Sequence, residues 1–262
     1  MNNTIDSTTK PYSEQENKKS QVRRMFNNIA PNYDFLNRVL SFGIDIHWRK
    51  VLVKALKKQV LSSGASAFEI LDLATGTADL PIMISRKLKK QMPNITIKGV
   101  DLSPQMLSYG QIKLDKLASK EPLAKNITLE EGDAEQLRFS AESFDAVTAV
   151  FGVRNFGDLE KGVSQIFRVT KNKGQIYILE FGMPENKIIG SLYRLYFLKM
   201  LPAIGGLISK DFKAYDYLPK SVETFASKHV FCKILSEVGF SDVKVKSMTF
   251  GVANIYYGTK NM

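Results

Sequence analysis

Three acidic residues stand at the ends of successive apolar runs, each in a setting of small residues. The first run leads into Leu71-Asp72-Leu73-Ala74-Thr75-Gly76-Thr77-Ala78-Asp79, the second ends Gly99-Val100-Asp101-Leu102, and the third leads into Gly132-Asp133-Ala134-Glu135. Small residues such as Gly76 let a backbone approach a ligand closely, and a helix opening just after them presents free N–H groups. A carboxylate has two acceptor oxygens, so Asp101 can take both hydroxyls of a ribose, and Asp133 can accept from the amino group of an adenine. A dinucleotide would want two or three glycines under its pyrophosphate. This loop has one, followed by Thr77 and the further acid Asp79, which suits a cationic ligand better than a diphosphate. S-adenosylmethionine, with its sulfonium and ammonium groups, fits that charge. The plainer alternative is that the three acids are loop residues and helix caps.

A second segment with chemical potential is Val150-Phe151-Gly152-Val153-Arg154-Asn155-Phe156. Phe151 and Phe156 can flank a flat aromatic molecule. Arg154 and Asn155 are polar groups in an otherwise apolar stretch. Transfer of a methyl group to a ring carbon requires alignment and the management of one proton. A neighbouring phenolate makes that carbon nucleophilic, and Arg154, which stays protonated, would stabilise the phenolate. The competing reading is a structural ion pair.

Elements able to hold these residues follow from the hydropathy pattern. Strands are expected at Glu69–Ala74, Ile95–Val100, Ile127–Glu131, Phe144–Val150, Gln175–Phe181, Val243–Thr249 and Ile255–Thr259, with helices at Asp79–Met92, Pro104–Leu117, Leu159–Val169 and Val222–Val238. The alternation predicts an α/β fold with a mostly parallel sheet, whose ligands sit beyond the carboxyl ends of its strands. Ser103 before Pro104 is a good helix start. Residues 1–20 are polar and are expected to be a disordered tail ahead of a single domain at 21–262. Within that domain, 21–60 reads as helices. In the second of these, Trp48, Val51, Leu52, Ala55, Leu56 and Val60 recur at helical spacing, with Arg49, Lys50, Lys54, Lys57 and Lys58 on the other face. A surface helix packed on the core is favoured over a membrane-contacting one. The stretch 183–221 breaks the alternation. Ile188, Ile189, Leu192, Tyr193, Leu195, Tyr196 and Phe197 crowd it, so it is either a lid over the acceptor pocket or a core helix or dimer contact.

Composition narrows the class. The 262 residues suit one large α/β domain, and a single cysteine, Cys232, rules out an internal disulfide. His47 and His229 stand far apart, so no metal site is expected. A polar N-terminus and the lack of a long uncharged apolar run predict a cytoplasmic protein. The net charge of +11 attracts polyanions and allows peripheral contact with an anionic membrane face. No arginine-rich tract or nucleic-acid-binding signature accompanies it, so a nucleic-acid partner is not expected, although a nucleic-acid-binding protein remains the rival from another class.

From Phe68 to Lys260 the chain resembles class I S-adenosylmethionine-dependent methyltransferases. That resemblance implies a Rossmann-like seven-stranded sheet with an antiparallel last strand. It also implies Asp72, Gly76 and Thr77 around the methionine part, Asp101 and Leu102 at the ribose, Asp133 and Ala134 at the adenine, and Val150 leading into a loop that faces the methyl group. Three further segments sharpen it: Tyr33-Asp34-Phe35-Leu36-Asn37 leading to Leu40-Ser41-Phe42-Gly43 and Trp48-Arg49; Phe151-Gly152-Val153-Arg154-Asn155; and Arg168-Val169-Thr170-Lys171 leading to Leu179-Glu180-Phe181. Together they resemble the ubiquinone/menaquinone biosynthesis C-methyltransferase family from Val22 to Lys260. The resemblance implies C-methylation of a polyprenyl quinol with Arg154 and Asn155 at the acceptor. Demethylmenaquinol is preferred because the chain is short and shows no organellar targeting segment. A 2-methoxy-6-polyprenyl-1,4-benzoquinol or another aromatic small molecule is the alternative. Two departures stand out: Asp45 where the family commonly has His, with His47 offset by two, and Asn172-Lys173 where it commonly has Pro-Gly.

Overall fold

The computed structural model describes residues 9–119, 125–196 and 211–261. Seven strands form one sheet: β1 (Phe68–Leu73), β2 (Ile95–Asp101), β3 (Ile127–Glu131), β4 (Phe144–Val150), β5 (Thr170–Phe181), β6 (Phe240–Met248) and β7 (Ala253–Lys260). Their order is β3-β2-β1-β4-β5-β7-β6, parallel throughout except that β7 runs against both β5 and β6. The chain therefore leaves β1 toward β2 on one side and continues at β4 on the other. The loops after β1 and β4 diverge at this switch point, where a ligand crevice is expected.

Nine helices surround the sheet among the described residues: α1 (Lys18–Ile29), α2 (Tyr33–Leu40), α3 (Ile44–Ser62), α4 (Asp79–Leu88), α5 (Pro104–Ala118), α6 (Leu159–Val169), α7 (Lys187–Leu195), α8 (Phe212–Thr224) and α9 (Lys228–Val238). The Ser103 hydroxyl accepts from the Met106 N–H and Pro104 opens α5, as its sequence predicts. One core layer packs α3 and α4 on the sheet through Leu52, Leu56, Ile84 and Leu88, and the other packs α6 and α9 through Val163, Ile166, Phe231 and Leu235. A third cluster joins α1, α2, the start of α5 and α8 through Val22, Met25, Leu36, Met106, Tyr215 and Tyr217.

Several elements differ from the sequence expectation. The helix expected over Val222–Val238 is two helices, because Phe225 is extended (ψ 149°) and the Ser227 hydroxyl caps the second by accepting from Val230 N–H. Strands β5 and β6 begin earlier than expected. Their opening residues pair across register shifts, and Lys173 and Asp242 take left-handed φ of 63° and 50°, which hides them from a period-2 pattern. Residues 9–20, part of the expected disordered tail, are placed: Tyr12 and Ser13 N–H groups donate to Gln21 Oε1 at 2.7 and 2.8 Å, the Tyr12 hydroxyl donates to Asp211, and α1 starts at Lys18. Arg49, read as part of an exposed basic face, is buried against Asp45 and Asp79. Of the insertion at 183–221, residues 197–210, including Phe197, lie outside the described residues.

Candidate active site

Two cavities meet beyond the carboxyl ends of the strands. The first lies between the ends of β1, β2, β3 and β4. Gly76, Asp101, Leu102, Asp133, Ala134 and Val150 all line it, as their sequence positions predict. Asp72 and Thr77 do not. Asp72 is buried beneath the loop, accepting from Thr148 and Thr75 hydroxyls at 2.6 Å each. Thr77 turns to the far side, donating to Asp34 and accepting from Lys113. These two therefore shape the loop rather than face the cavity.

The cavity's electrostatics favour a cation. Asp101 Oδ2 accepts from the Gly76 N–H and Oδ1 from the Ser103 N–H, both at 2.8 Å. Burial pushes the Asp101 and Asp72 carboxyls up to about 6, against the hydrogen bonds that favour their ionised forms. Asp133 and Glu135 already hold one cationic donor, the Lys19 ammonium, at 2.6 and 2.9 Å. Asp79, counted in the sequence argument as an extra acid for the ligand, serves another purpose. It is tied to Lys113, Arg38 and Arg49, which hold its carboxyl below the usual range even though burial works the other way. The cationic preference therefore rests on Asp101, on the pair Asp133 and Glu135 that shares one Lys19 charge, and on Asp72 only from beneath the loop.

Close approach is also built in. Gly76 takes a left-handed φ of 56°, and a Cβ on Gly152 would sit 2.3 Å from the Ala74 Cβ, so the loops after β1 and β4 touch only because residue 152 has no side chain. Such a floor suits an adenosine with a cationic tail. Residues Gly76, Asp101, Leu102, Asp133, Ala134 and Val150 would hold it.

The second cavity, of about 240 Å³, is an apolar chamber under α1, α2 and α8. Phe151 and Phe181 stack at 4.1 Å and 15° on one wall, and Trp48 meets each edge-on at 6.1 Å. Phe26, Tyr33, Phe151 and Asn155 line both cavities, so the two share a wall. Phe156 lines only the first, so the expected Phe151/Phe156 pair does not flank this chamber; Phe151 and Phe181, stacked on each other, form one wall of it. Arg154 and Asn155 both line the chamber. Burial pushes the hydroxyls of Tyr193, Tyr215 and Tyr217 above the ordinary tyrosine range, so they stay protonated. Tyr217 donates to Asn155 Oδ1 at 3.1 Å. Arg154 forms the ion pair that the sequence left as its alternative: Nη1 lies 2.7 Å from Glu180 Oε1, with both side chains buried. It also lines the chamber. Sequence reasoning missed Lys19, Trp48, Tyr217 and Glu180 as site residues. Glu180 carried a signal, a lone charge at the end of an apolar strand. Among the described residues no group of three His, Cys, Asp or Glu could hold a metal.

The fold is shared with many solved structures. A Thermotoga maritima protein described as an S-adenosylmethionine-dependent methyltransferase and possible histamine N-methyltransferase superposes with a TM-score of 0.60 at 16% identity, covering 91% of this chain and 99% of its own. The [4+2]-cyclase SpnF gives 0.64 at 12% identity, over 93% and 97%. These likenesses establish the fold alone. Family membership comes from sequence: the model of the ubiE/COQ5 methyltransferase family matches residues 14–260. The chain belongs to that family. A Geobacter sulfurreducens protein named ubiquinone/menaquinone biosynthesis C-methyltransferase UbiE is 43% identical over 94% of this chain and 90% of its own length. Proteins named demethylmenaquinone methyltransferase are 42% identical in Chlorobaculum parvum (94% and 95% covered) and 38% identical in Bacteroides fragilis (96% and 97%). The enzyme is thus an S-adenosylmethionine-dependent C-methyltransferase.

Proposed function

We propose that the enzyme methylates a ring carbon of a polyprenyl quinol, with demethylmenaquinol as the preferred acceptor and 2-methoxy-6-polyprenyl-1,4-benzoquinol as the second. The observation that carries this reading is the chamber: apolar and aromatic, with one guanidinium, sharing a wall with the cofactor cavity. The names of the relatives support it: one is named for ubiquinone/menaquinone biosynthesis and others for demethylmenaquinone.

When bound, S-adenosylmethionine supplies an electrophilic methyl group, and its sulfur keeps the bonding pair. The protein's part is alignment and proton handling. Phe151 and Phe181 hold a flat ring; Asn155, at the shared wall and fixed by Tyr217, orients it. Arg154 stabilises the ring oxygen as its proton leaves to water, which makes the neighbouring carbon nucleophilic. The new C–C bond would form there, and the C–H proton of that carbon would pass to water as the ring regains its aromaticity; the ring oxygen takes a proton back on release, so one proton is given up overall. Chamber tyrosines, held protonated, donate hydrogen bonds rather than accept the proton.

A lipid tail needs an exit, and the chamber mouth carries exposed apolar side chains. Phe42 (77% exposed) and Ile44 line it, and the helices α2 and α7, which also contribute to its lining, carry exposed Phe35, Val39, Ile188, Leu192 and Leu195. Beside α2, a groove between α3 and α4 is lined by Arg38, Lys50, Lys54, Lys57, Lys58, Arg86 and Lys87. An apolar rim next to a basic groove supports peripheral contact with an anionic membrane surface. No helix among the described residues is long and apolar enough to cross a membrane. A second copy of the chain is the other cover this rim could take.

The test is direct. Purified enzyme receives labelled S-adenosylmethionine with demethylmenaquinol, the methoxy-benzoquinol or RNA. Label in the first quinol supports the reading, label in the second alone changes the preferred acceptor, and label in neither quinol refutes it.

A further inference from the structure

The chamber's electrostatics depend on a residue that does not line it. Arg154 is the one ionised group among the described chamber residues. Its Nη1 donates to Phe151 O at 2.5 Å and to Glu180 Oε1 at 2.7 Å, and Nε donates to the Ser221 hydroxyl at 3.3 Å. A guanidinium has five N–H groups in a fixed fork. Three are spent on these partners, and no described residue accepts from Nη2. Those two N–H groups are unspent on a side chain that lines the chamber.

Glu180 is fully buried and is held from three sides. Besides Nη1, the Arg154 N–H donates to Oε2 at 3.2 Å and the Phe181 N–H donates to Oε1 at 2.9 Å. One carboxylate thus fixes the guanidinium, the short 3₁₀ turn that carries Arg154, and the strand end that carries Phe181. It also places a negative charge directly behind the cation that faces the acceptor.

The geometry points to Glu180 as a positioning residue for the methyl transfer: it aims Arg154 Nη2 into the acceptor chamber and offsets the charge that Arg154 brings there. This rests on the acceptor reading above. A buried cation with no counter-charge would bind the ionised ring oxygen too well and lower its reactivity toward the methyl group. With Glu180 in place, Arg154 acts on the acceptor as part of a neutral pair. The hydroxyl then ionises nearer its ordinary range, where the oxyanion keeps its push on the ring carbon.

The experiment reads charge rather than fold. 2-Naphthol, whose absorbance and fluorescence report ionisation, is bound to the full-length enzyme and titrated with pH, and the acidic limb of the kcat profile with a quinol acceptor is measured alongside. Glu180→Gln keeps an acceptor oxygen for Nη1 and removes the charge. It is expected to move both the naphthol titration and the kcat limb about one pH unit lower, the size expected for deleting a nearby unit charge in a partly shielded interior. Glu180→Asp restores the charge and returns both to within a few tenths of a unit of the parent. Ser221→Asp adds a carboxylate at Nε and moves both upward, an independent arm should Glu180→Gln fold poorly. Unmoved titrations in the folded Gln or Ser221→Asp variant, even with a lower melting temperature or a uniformly lower kcat, overturn the inference and leave Glu180 as a structural ion-pair partner. If the parent methylates no quinol and binds no 2-naphthol, the acceptor reading itself fails and takes this inference with it. Quinol turnover with unshifted titrations defeats only this inference.

Discussion

Binding of the methyl donor should weaken steeply as pH falls below about 6. Asp101 is half-buried at the end of β2 and its carboxyl sits at about 6, as does that of the buried Asp72 beneath the β1 loop. Both values lie above the 3.8 of an exposed carboxyl because burial disfavours the charged form. In the free protein, this contribution to stability is present below pH 4 and is lost as pH rises through about 6. The ionised carboxyls then cost about 3 kcal/mol each relative to the unfolded chain. A ligand with a sulfonium and an ammonium selects the ionised forms, so its affinity moves the opposite way. At pH 5 a group titrating at 6 is about one-eleventh ionised, and donor affinity falls about elevenfold, or ~1.4 kcal/mol. If Asp72 must ionise as well, the fall is about a hundredfold. Calorimetric titration between pH 5 and 8, in two buffers of different ionisation enthalpy, measures both affinity and proton release. Protons should be released on binding near pH 6. Asp101→Asn should bind about 1–3 kcal/mol more weakly at pH 7.5 and lose roughly tenfold of the pH dependence. A parent enzyme with flat affinity from pH 5 to 7.5 would refute the cation-selective account of this cavity.

Arg154→Lys keeps a cation against Glu180 but loses the planar fork, so kcat should fall about 10²-fold while donor affinity changes less than threefold; equal losses in both would place Arg154 in the cofactor site or in folding. Tyr196 donates to Leu40 O at 2.7 Å and lies near Phe42 at the chamber mouth. Tyr196→Ser should lower kcat/KM about tenfold for a long-tailed quinol and much less for a short-tailed one, and an equal loss on both with a lower Tm would show a structural role only. The parent enzyme should sediment with phosphatidylglycerol vesicles and not with phosphatidylcholine, and Lys54→Glu/Lys57→Glu should weaken this at least tenfold. Vesicle binding insensitive to salt and to those substitutions would leave the rim as a contact between copies, measurable by sedimentation equilibrium.

The sheet and the cofactor side were largely legible in the sequence because their signals are local. Asp101 ends one strand, Asp133 follows another, and each is reached by reading a single segment. Gly76 and Gly152 are small where two backbones must meet. The errors on this side have local causes too. Asp79 looked like a ligand carboxylate because its partners Arg38, Arg49 and Lys113 come from three different helices. Asp72 and Thr77 belong to the right loop but point away from the cavity, and the direction of a loop side chain carries no periodic signature.

The acceptor side was less legible because it is assembled from distant pieces. Its walls come from α1, α2, the starts of α3 and α8, the end of α7, the loop after β4, the end of β5 and the turn between β6 and β7. Polar composition marked residues 9–20 as disordered, since local composition does not register partners such as Asp211, nearly two hundred residues away from Tyr12. Yet α1 is where the two cavities are joined: Lys18 donates to Arg154 O at 3.3 Å, Lys19 bridges Asp133 and Glu135, and Phe26 lines both cavities. A segment that closes the cofactor cavity and also walls the acceptor chamber makes each site's shape depend on the other. The family's cofactor machinery alone therefore could not reveal how the acceptor is held. Most of α1 lies in the segment read as helical, but its first turn, with Lys18 and Lys19, falls in the segment read as a disordered tail.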